Sequence, residues 1–200
     1  MYLVGEFTAG KSILWHAGAS SVSIAGIQLS VGAKASAVYV TASSQAKIDF
    51  CVQQLGATAG FNYKSQDWAR EILAATGGKG VDIVIDFVGQ SYFQSNLDVA
   101  ARDGRIVCLG MMSGATLPAG VDIGALIRKR VRIEGSSLRS RDEDYQLKLR
   151  DSLESHALAK FKDGSFRLFT ERVFPWERIV EAHKLMETNK TMGKIICTIG

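Results

Sequence analysis

The feature that most constrains this chain is an alternation: short β-branched apolar runs recur between longer stretches of helical period. The runs Ser12–His16, Ser36–Val40, Gly60–Asn62, Val81–Asp86, Arg105–Leu109 and Arg132–Gly135 read as strands. Between them, Val22–Val31, Gln45–Leu55, Asp67–Thr76, Tyr92–Val99 and Ile123–Arg128 read as helices. Strands that are apolar throughout, rather than every second residue, are buried on both faces, and helices between them supply the cover. The pattern therefore predicts an α/β domain of the Rossmann type, a doubly wound parallel sheet.

Past Ser136 the rhythm changes to a charged helix over Arg141–Ala159, a strand-like stretch Phe166–Phe174, a helix Trp176–Thr188 and a last strand Lys194–Thr198. Pro175 fits a helix start, and Asn189 with Gly193 a stop and a turn. A boundary near residue 135 follows, separating a nucleotide-binding domain over 1–135 from a C-terminal segment over 136–200. At 200 residues, 46% of them hydrophobic, the chain is long enough to bury a real core.

The formal net charge is only +4, with the basic residues scattered, so nucleic acid is not implied. No apolar run reaches the length that spans a bilayer, and no basic start precedes an apolar stretch, so the expectation is a soluble cytoplasmic protein. Cys51, Cys108 and Cys197 are odd in number and widely spaced, as buried reduced thiols would be. His16, His156 and His183 lack ligand spacing, so no metal is expected. The stretch Gly18-Ala19-Ser20-Ser21-Val22 lacks the second glycine of a nucleophile elbow. Trp15, Trp68 and Trp176 fall on strand or helix faces and read as packing residues.

The first strand runs through His16-Ala17-Gly18-Ala19-Ser20-Ser21-Val22-Ser23 into a helix, the place where a dinucleotide pyrophosphate rests on a helix N-terminus. A simple Ser-capped helix fits the same residues. The second strand is followed by Thr41-Ala42-Ser43-Ser44 with no acid to hold a ribose 2′-OH, whereas Lys47 stands one turn on. That arrangement suits the 2′-phosphate of NADPH; a Ser-capped helix with a solvated lysine is the other reading. Gly89 and Gly110, at strand ends, either let the nicotinamide half approach closely or merely turn the chain.

Taken with Gly60-Phe61-Asn62-Tyr63-Lys64, Asp86-Phe87-Val88-Gly89, Leu138-Arg139-Ser140-Arg141-Asp142, Glu181-Ala182-His183-Lys184, Asn189-Lys190 and Gly193-Lys194, these residues resemble the zinc-independent, zeta-crystallin-like quinone oxidoreductases of the medium-chain dehydrogenase/reductase superfamily. The resemblance implies hydride transfer from NADPH to a quinone or related enone, with no catalytic residue assignable here. It implies cofactor contacts at Gly18, Ala19, Ser20, Ser21 and Val22, a 2′-phosphate end at Ser44, Lys47 and Tyr63, and ribose and nicotinamide contacts at Val88, Gly89, Leu109, Gly110, Met111, Leu138 and Arg139. It implies a homodimer formed through the Rossmann sheet edge, and for residues 136–200 the C-terminal part of an incomplete GroES-like substrate domain whose larger N-terminal part is missing. An NADPH-binding or dimerising module without turnover is the alternative. Two departures are expected to matter: Ser21 and Ser23 replace glycines and place side chains where pyrophosphate and helix packing need room. Residues 136–200 are expected to expose apolar surface.

Overall fold

A computed structural model describes residues 1–200. Six strands form one wholly parallel sheet: β1 (Ser12–Trp15), β2 (Ala37–Ala42), β3 (Ala59–Asn62), β4 (Val81–Asp86), β5 (Ala100–Cys108) and β6 (Arg132–Gly135), in the order β3-β2-β1-β4-β5-β6. The helices are α1 (Ser21–Gly32), α2 (Gln45–Leu55), α3 (Trp68–Ala75), α4 (Phe93–Val99) and α5 (Ala125–Arg128). They divide between the faces, producing two apolar clusters of 14 buried residues each. Ile13, Trp15, Val38, Val40, Ile83 and Ile85 point to one, Leu14, Tyr39 and Val84 to the other, so the central strands are apolar in both directions. This is the doubly wound α/β fold that the alternation predicts.

Local chemistry sets the helix ends. Ser20 caps α1 and Ser44 caps α2, each hydroxyl accepting from the amide three residues on. Gly56 closes α2 in the left-handed region, at φ 79°. Inside α1, Gly26 lies against Trp15, and a Cβ there would fall 2.2 Å from the indole ring.

Several expected boundaries move. β2 runs two residues beyond Val40, because Thr41 and Ala42 continue the ladder with Phe61 and Asn62. β5 begins at Ala100, where it pairs with Val81 before a register shift. The charged helix begins at Glu143, as α6 (Glu143–Leu153), and passes through a π turn into α7 (Ala159–Lys162). Pro175 both ends β7 (Thr170–Pro175) and caps the 3-10 turn Trp176–Arg178 that runs directly into α8 (Ile179–Glu187), the helix start expected of it. The expectation that the tail abandons the βα rhythm is also corrected: β7 and β8 (Lys194–Thr198) pair parallel across α8, a small β-α-β unit.

The segment after Gly135 meets the sheet domain through aromatic packing, Phe169 edge-on to Phe50 at 4.9 Å, and through polar bonds. Lys160 Nζ donates to the Gly32 carbonyl at the end of α1, and Arg167 donates to the Gln54 carbonyl near the end of α2. Gln28 and Arg167 exchange a second pair of bonds. Leu138, Leu153, Leu168, Val173, Val180 and Ile199 remain more than half exposed, in line with the apolar surface expected there. Trp176, expected to pack, is 52% exposed, since it sits in the surface turn after Pro175.

Candidate functional site

The strand order reverses at β1, which pairs with β2 on one side and β4 on the other. The chains leaving these carboxyl ends must diverge, and the crevice between them is where open α/β sheets take ligands. A cleft of about 400 Å³ opens there. Ala17 and Ala19–Val22 line it from the turn after β1, Ala42 and Ser43 from the end of β2, Tyr63 from β3, Phe87 from β4 and Met112 from beyond β5.

The turn after β1 is shaped by two residues. Ala17 takes the left-handed region at φ 49°, unusual for a residue with a Cβ. Gly18 is required for a different reason: a Cβ would lie 2.9 Å from Val40 and 3.0 Å from Cys51. Ser20 Oγ accepts the Ser23 amide, while the amides of Ser21 and Val22 have no backbone acceptor and both residues line the cleft. Unpaired amides at a helix N-terminus, with the positive end of its dipole behind them, suit an anion.

Ser23 corrects an expectation. Its side chain does not occupy pyrophosphate space: it is fully buried and donates to the His16 carbonyl at 2.7 Å, tying α1 to the end of β1. Ser21 alone of the two lines the cleft.

At the far end the expected contact at Ser44 is corrected: its hydroxyl caps α2 by accepting the Lys47 amide and the residue does not line the cleft, whereas its neighbour Ser43 does. Lys47 lines the cleft half-buried, and Tyr63 stands beside it, 42% exposed. Burial, and after it the charge of Lys64, lowers the Lys47 ammonium below the ordinary lysine range, while Glu171 works in the opposite sense. The charge of Lys64 adds to the positive potential around Lys47, which favours an anion at this end of the cleft.

Beneath the turn lies a group that sequence reading missed. His16 is fully buried; Nε2 meets Asn96 Oδ1 at 2.8 Å and Nδ1 meets Thr41 Oγ1 at 2.9 Å. The Asn96 oxygen only accepts, so Nε2 carries the proton and Nδ1 accepts from threonine. Trp68 and Tyr92 pack edge-on against the imidazole at 4.9 and 4.8 Å. Burial drives its pKa down to about 4, so the ring is neutral. The network joins the ends of β1 and β2 to α4, at the root of the cleft. Its only signal in the sequence was a histidine ending an apolar strand.

The other expected contacts lie apart. Asp86, buried at the end of β4, accepts the amides of Val88 and Gly89 and so shapes that loop. Its carboxyl is raised by burial against those two bonds. Gly89 has φ 83° and abuts Met111, so the turn reading of this glycine is satisfied; a Cβ at Gly110 would come 3.1 Å from the Phe87 carbonyl. Leu109 and Leu138 line a second groove of about 600 Å³, mostly apolar, which shares Val22 with the cleft. Met111 and Arg139 are exposed, and Arg141 lies 4.2 Å over the Tyr145 ring rather than near the cleft. Cys51 is buried, with its thiol pushed up to about 12; Cys108 and Cys197 are half-buried. No three His, Cys, Asp or Glu side chains gather as a metal site would need, and no helix is long and apolar enough to cross a membrane.

Asn189, Thr191 and Gly193, from the loop before β8, supply the cleft's outer wall. Their place in the site comes from tertiary packing: the sequence marked Asn189 and Gly193 as a stop, a turn and part of the family resemblance, without a contact in the cleft, and did not mark Thr191.

Comparison with known proteins agrees with this geometry. Prostaglandin reductase-3 of Mus musculus is 29% identical over 96% of the chain, which spans 53% of that protein. A highly reducing polyketide synthase of Aspergillus terreus is 28% identical over 96% of the chain, which spans 7% of it. The solved 2-haloacrylate reductase superposes with a TM-score of 0.81 at 26% identity, over 97% of this chain and 59% of that one. The quinone oxidoreductase of Pseudomonas syringae pv. Tomato DC3000 gives 0.78 at 26%, over 96% and 57%. The chain thus spans little more than half the length of these reductases and a small fraction of the synthase. The model of the zinc-binding dehydrogenase family matches residues 21–154, two thirds of the chain, and with the six-stranded parallel sheet this places the protein in that family of nicotinamide-dependent oxidoreductases.

Proposed function

We propose that the chain is the cofactor-holding portion of an NADPH-dependent reductase that delivers hydride to a carbon–carbon double bond or ring conjugated to a carbonyl, such as a quinone or an enone. The observation that carries the reading is the far end of the cleft: Ser43, Lys47 and Tyr63 line it, with Lys64 close enough to Lys47 to act on its charge, and no carboxylate follows β2. A ribose 2′-OH calls for an acid there and a 2′-phosphate for a cation. The conjugated-acceptor class is supported by the names of two neighbours, a 2-haloacrylate reductase and a quinone oxidoreductase, whose named substrates share that chemistry.

The nicotinamide cofactor supplies the hydride, and the protein binds, orients and excludes water. In this reading the amides of Ser21 and Val22 take the pyrophosphate and Gly18 keeps β2 close beneath the turn. Lys47, with Ser43 and Tyr63, takes the 2′-phosphate. The loops at Val88–Gly89 and Leu109–Met111, with Leu138–Arg139, border the nicotinamide half. Residues 1–135 act as the cofactor domain and 136–200 as part of the substrate domain. Two copies would pair through β6, whose outer edge has no partner strand.

A second reading is an NADPH-binding module without turnover: the cleft lining offers residues suited to the cofactor and no side chain with an assigned role on a substrate. Nicotinamide fluorescence titration tests the shared premise. NADPH is expected to bind at least ~10-fold more tightly than NADH, and Lys47→Ala to remove that preference. Equal affinities in the unmodified protein refute the NADPH assignment. Oxidation of bound NADPH on adding a quinone or an enone then separates enzyme from module.

A further inference from the structure

The outer wall of the cleft comes from outside the six-stranded sheet. The loop from Thr188 to Gly193 crosses the cleft mouth between α8 and β8, and it is pinned at both ends. At one end the Asn189 amide donates to the Met186 carbonyl at 3.2 Å. At the other, the Gly193 amide donates to the Ala19 carbonyl in the phosphate turn at 3.1 Å, and the Met192 amide to the Glu171 carboxylate at 2.9 Å. Gly193 is needed there: its φ is 88°, and a Cβ would sit 2.2 Å from the Phe169 carbonyl oxygen.

Between the pins, Asn189 adopts the left-handed region at φ 54°, which asparagine tolerates better than most residues with a Cβ. Its main-chain carbonyl accepts a hydrogen bond from Lys47 Nζ at 2.6 Å, across 142 residues of sequence. A lysine on its flexible four-carbon stem otherwise spreads its ammonium over many rotamers. The ammonium has three donors, and this bond uses one. Two remain, on a side chain that lines the cleft.

We propose that Asn189 is a positioning residue: its left-handed backbone aims a carbonyl that fixes the Lys47 ammonium at the cleft, so that the two remaining N–H groups receive a phosphomonoester on the bound ribose. Asn189 thereby sets the discrimination between 2′-phosphorylated and unphosphorylated nucleotides without touching either. The inference rests on the NADPH reading and adds the device that orients its key cation. Supporting it, the charges facing Lys47 are Lys64 and Glu171, and Glu171 is already engaged by the Met192 amide.

The test uses 2′,5′-ADP and 5′-ADP as probes, with affinities from calorimetry and no turnover required. The unmodified chain is expected to prefer 2′,5′-ADP by ~10-fold or more, and Lys47→Ala to abolish the preference. Asn189→Val, whose branched Cβ resists the left-handed region, is expected to pull the preference most of the way to the Lys47→Ala value. Asn189→Gly, which adopts that region freely, is expected to keep it. Should the valine variant unfold, Asn189→Ala carries the same comparison with milder restriction. A merely structural role would weaken both ligands together and leave their ratio intact, which overturns the proposal. An unchanged ratio in Asn189→Val beside a lost ratio in Lys47→Ala overturns the role of Asn189 and leaves the NADPH reading standing. No preference in the unmodified chain overturns both.

Discussion

Burying His16 as a neutral ring gives the fold a pH dependence whose size can be worked out. The folded pKa of about 4 lies below the ordinary imidazole value of 6.5, chiefly because burial penalises the charged ring, with the Asn96 bond acting the other way. Between those values the unfolded chain binds more protons than the folded one, so stability rises with pH across the window. The contribution is complete above pH 6.5, falls as the pH drops toward 4, and levels off below. Linkage with these two values predicts a loss of about 2 kcal/mol between pH 7 and pH 5, a sizeable share of a domain's stability. The carboxylates Asp103, Asp122 and Glu181, paired with arginines, and Asp163, hydrogen-bonded by Ser165, are held below their ordinary values and lose their contributions only at lower pH. The assay is urea unfolding of the unmodified chain and His16→Gln at pH 7, 6 and 5. The glutamine variant is expected to be less stable at pH 7, with the gap closing by about 2 kcal/mol at pH 5. A gap that stays constant with pH refutes the neutral buried imidazole.

Two further outcomes follow from the packing around the turn after β1. Gly26→Ala raises helix propensity by ~1 kcal/mol but drives a Cβ to 2.2 Å from Trp15, whose Nε1 is tethered to Ser30 Oγ at 3.1 Å. Overpacking costs ~1–3 kcal/mol, so urea titration should show net destabilisation, and a gain would mean the indole relaxes freely. Ser23→Gly removes the buried bond to the His16 carbonyl and should cost ~1–3 kcal/mol while nucleotide affinity holds, whereas Ser21→Gly, in the cleft lining, should move affinity more than stability. The reverse pattern in fluorescence and urea titrations would return Ser23 to the pyrophosphate.

The sheet was legible because its signal is local and redundant. β1, β2 and β4 must be apolar on both faces, so each announces itself in a few consecutive residues, and Ser20 and Ser44 mark the following helices by capping them. The inner half of the site was legible for the same reason, since a ligand crevice at the strand ends follows from topology once the strands are placed. The tail was harder. The strands and the helix between them could each be read, but β7 and β8 are mostly exposed and no local run declares that they pair parallel across α8.

What escaped sequence reading are the groups whose role is set by distant partners. The role of Ser23 turns on the His16 carbonyl, that of His16 on Asn96, 80 residues away, and the outer wall on a loop that reaches the turn after β1 through Gly193 and Ala19. Substituted glycines illustrate the limit most sharply. Motif reading weighs Ser21 and Ser23 alike because both replace glycine, yet helical geometry turns one toward the cleft and the other into the strand. A residue type constrains what a side chain can do, and only its neighbours decide which possibility is used; here a serine that looked like an obstruction ties α1 to the end of β1.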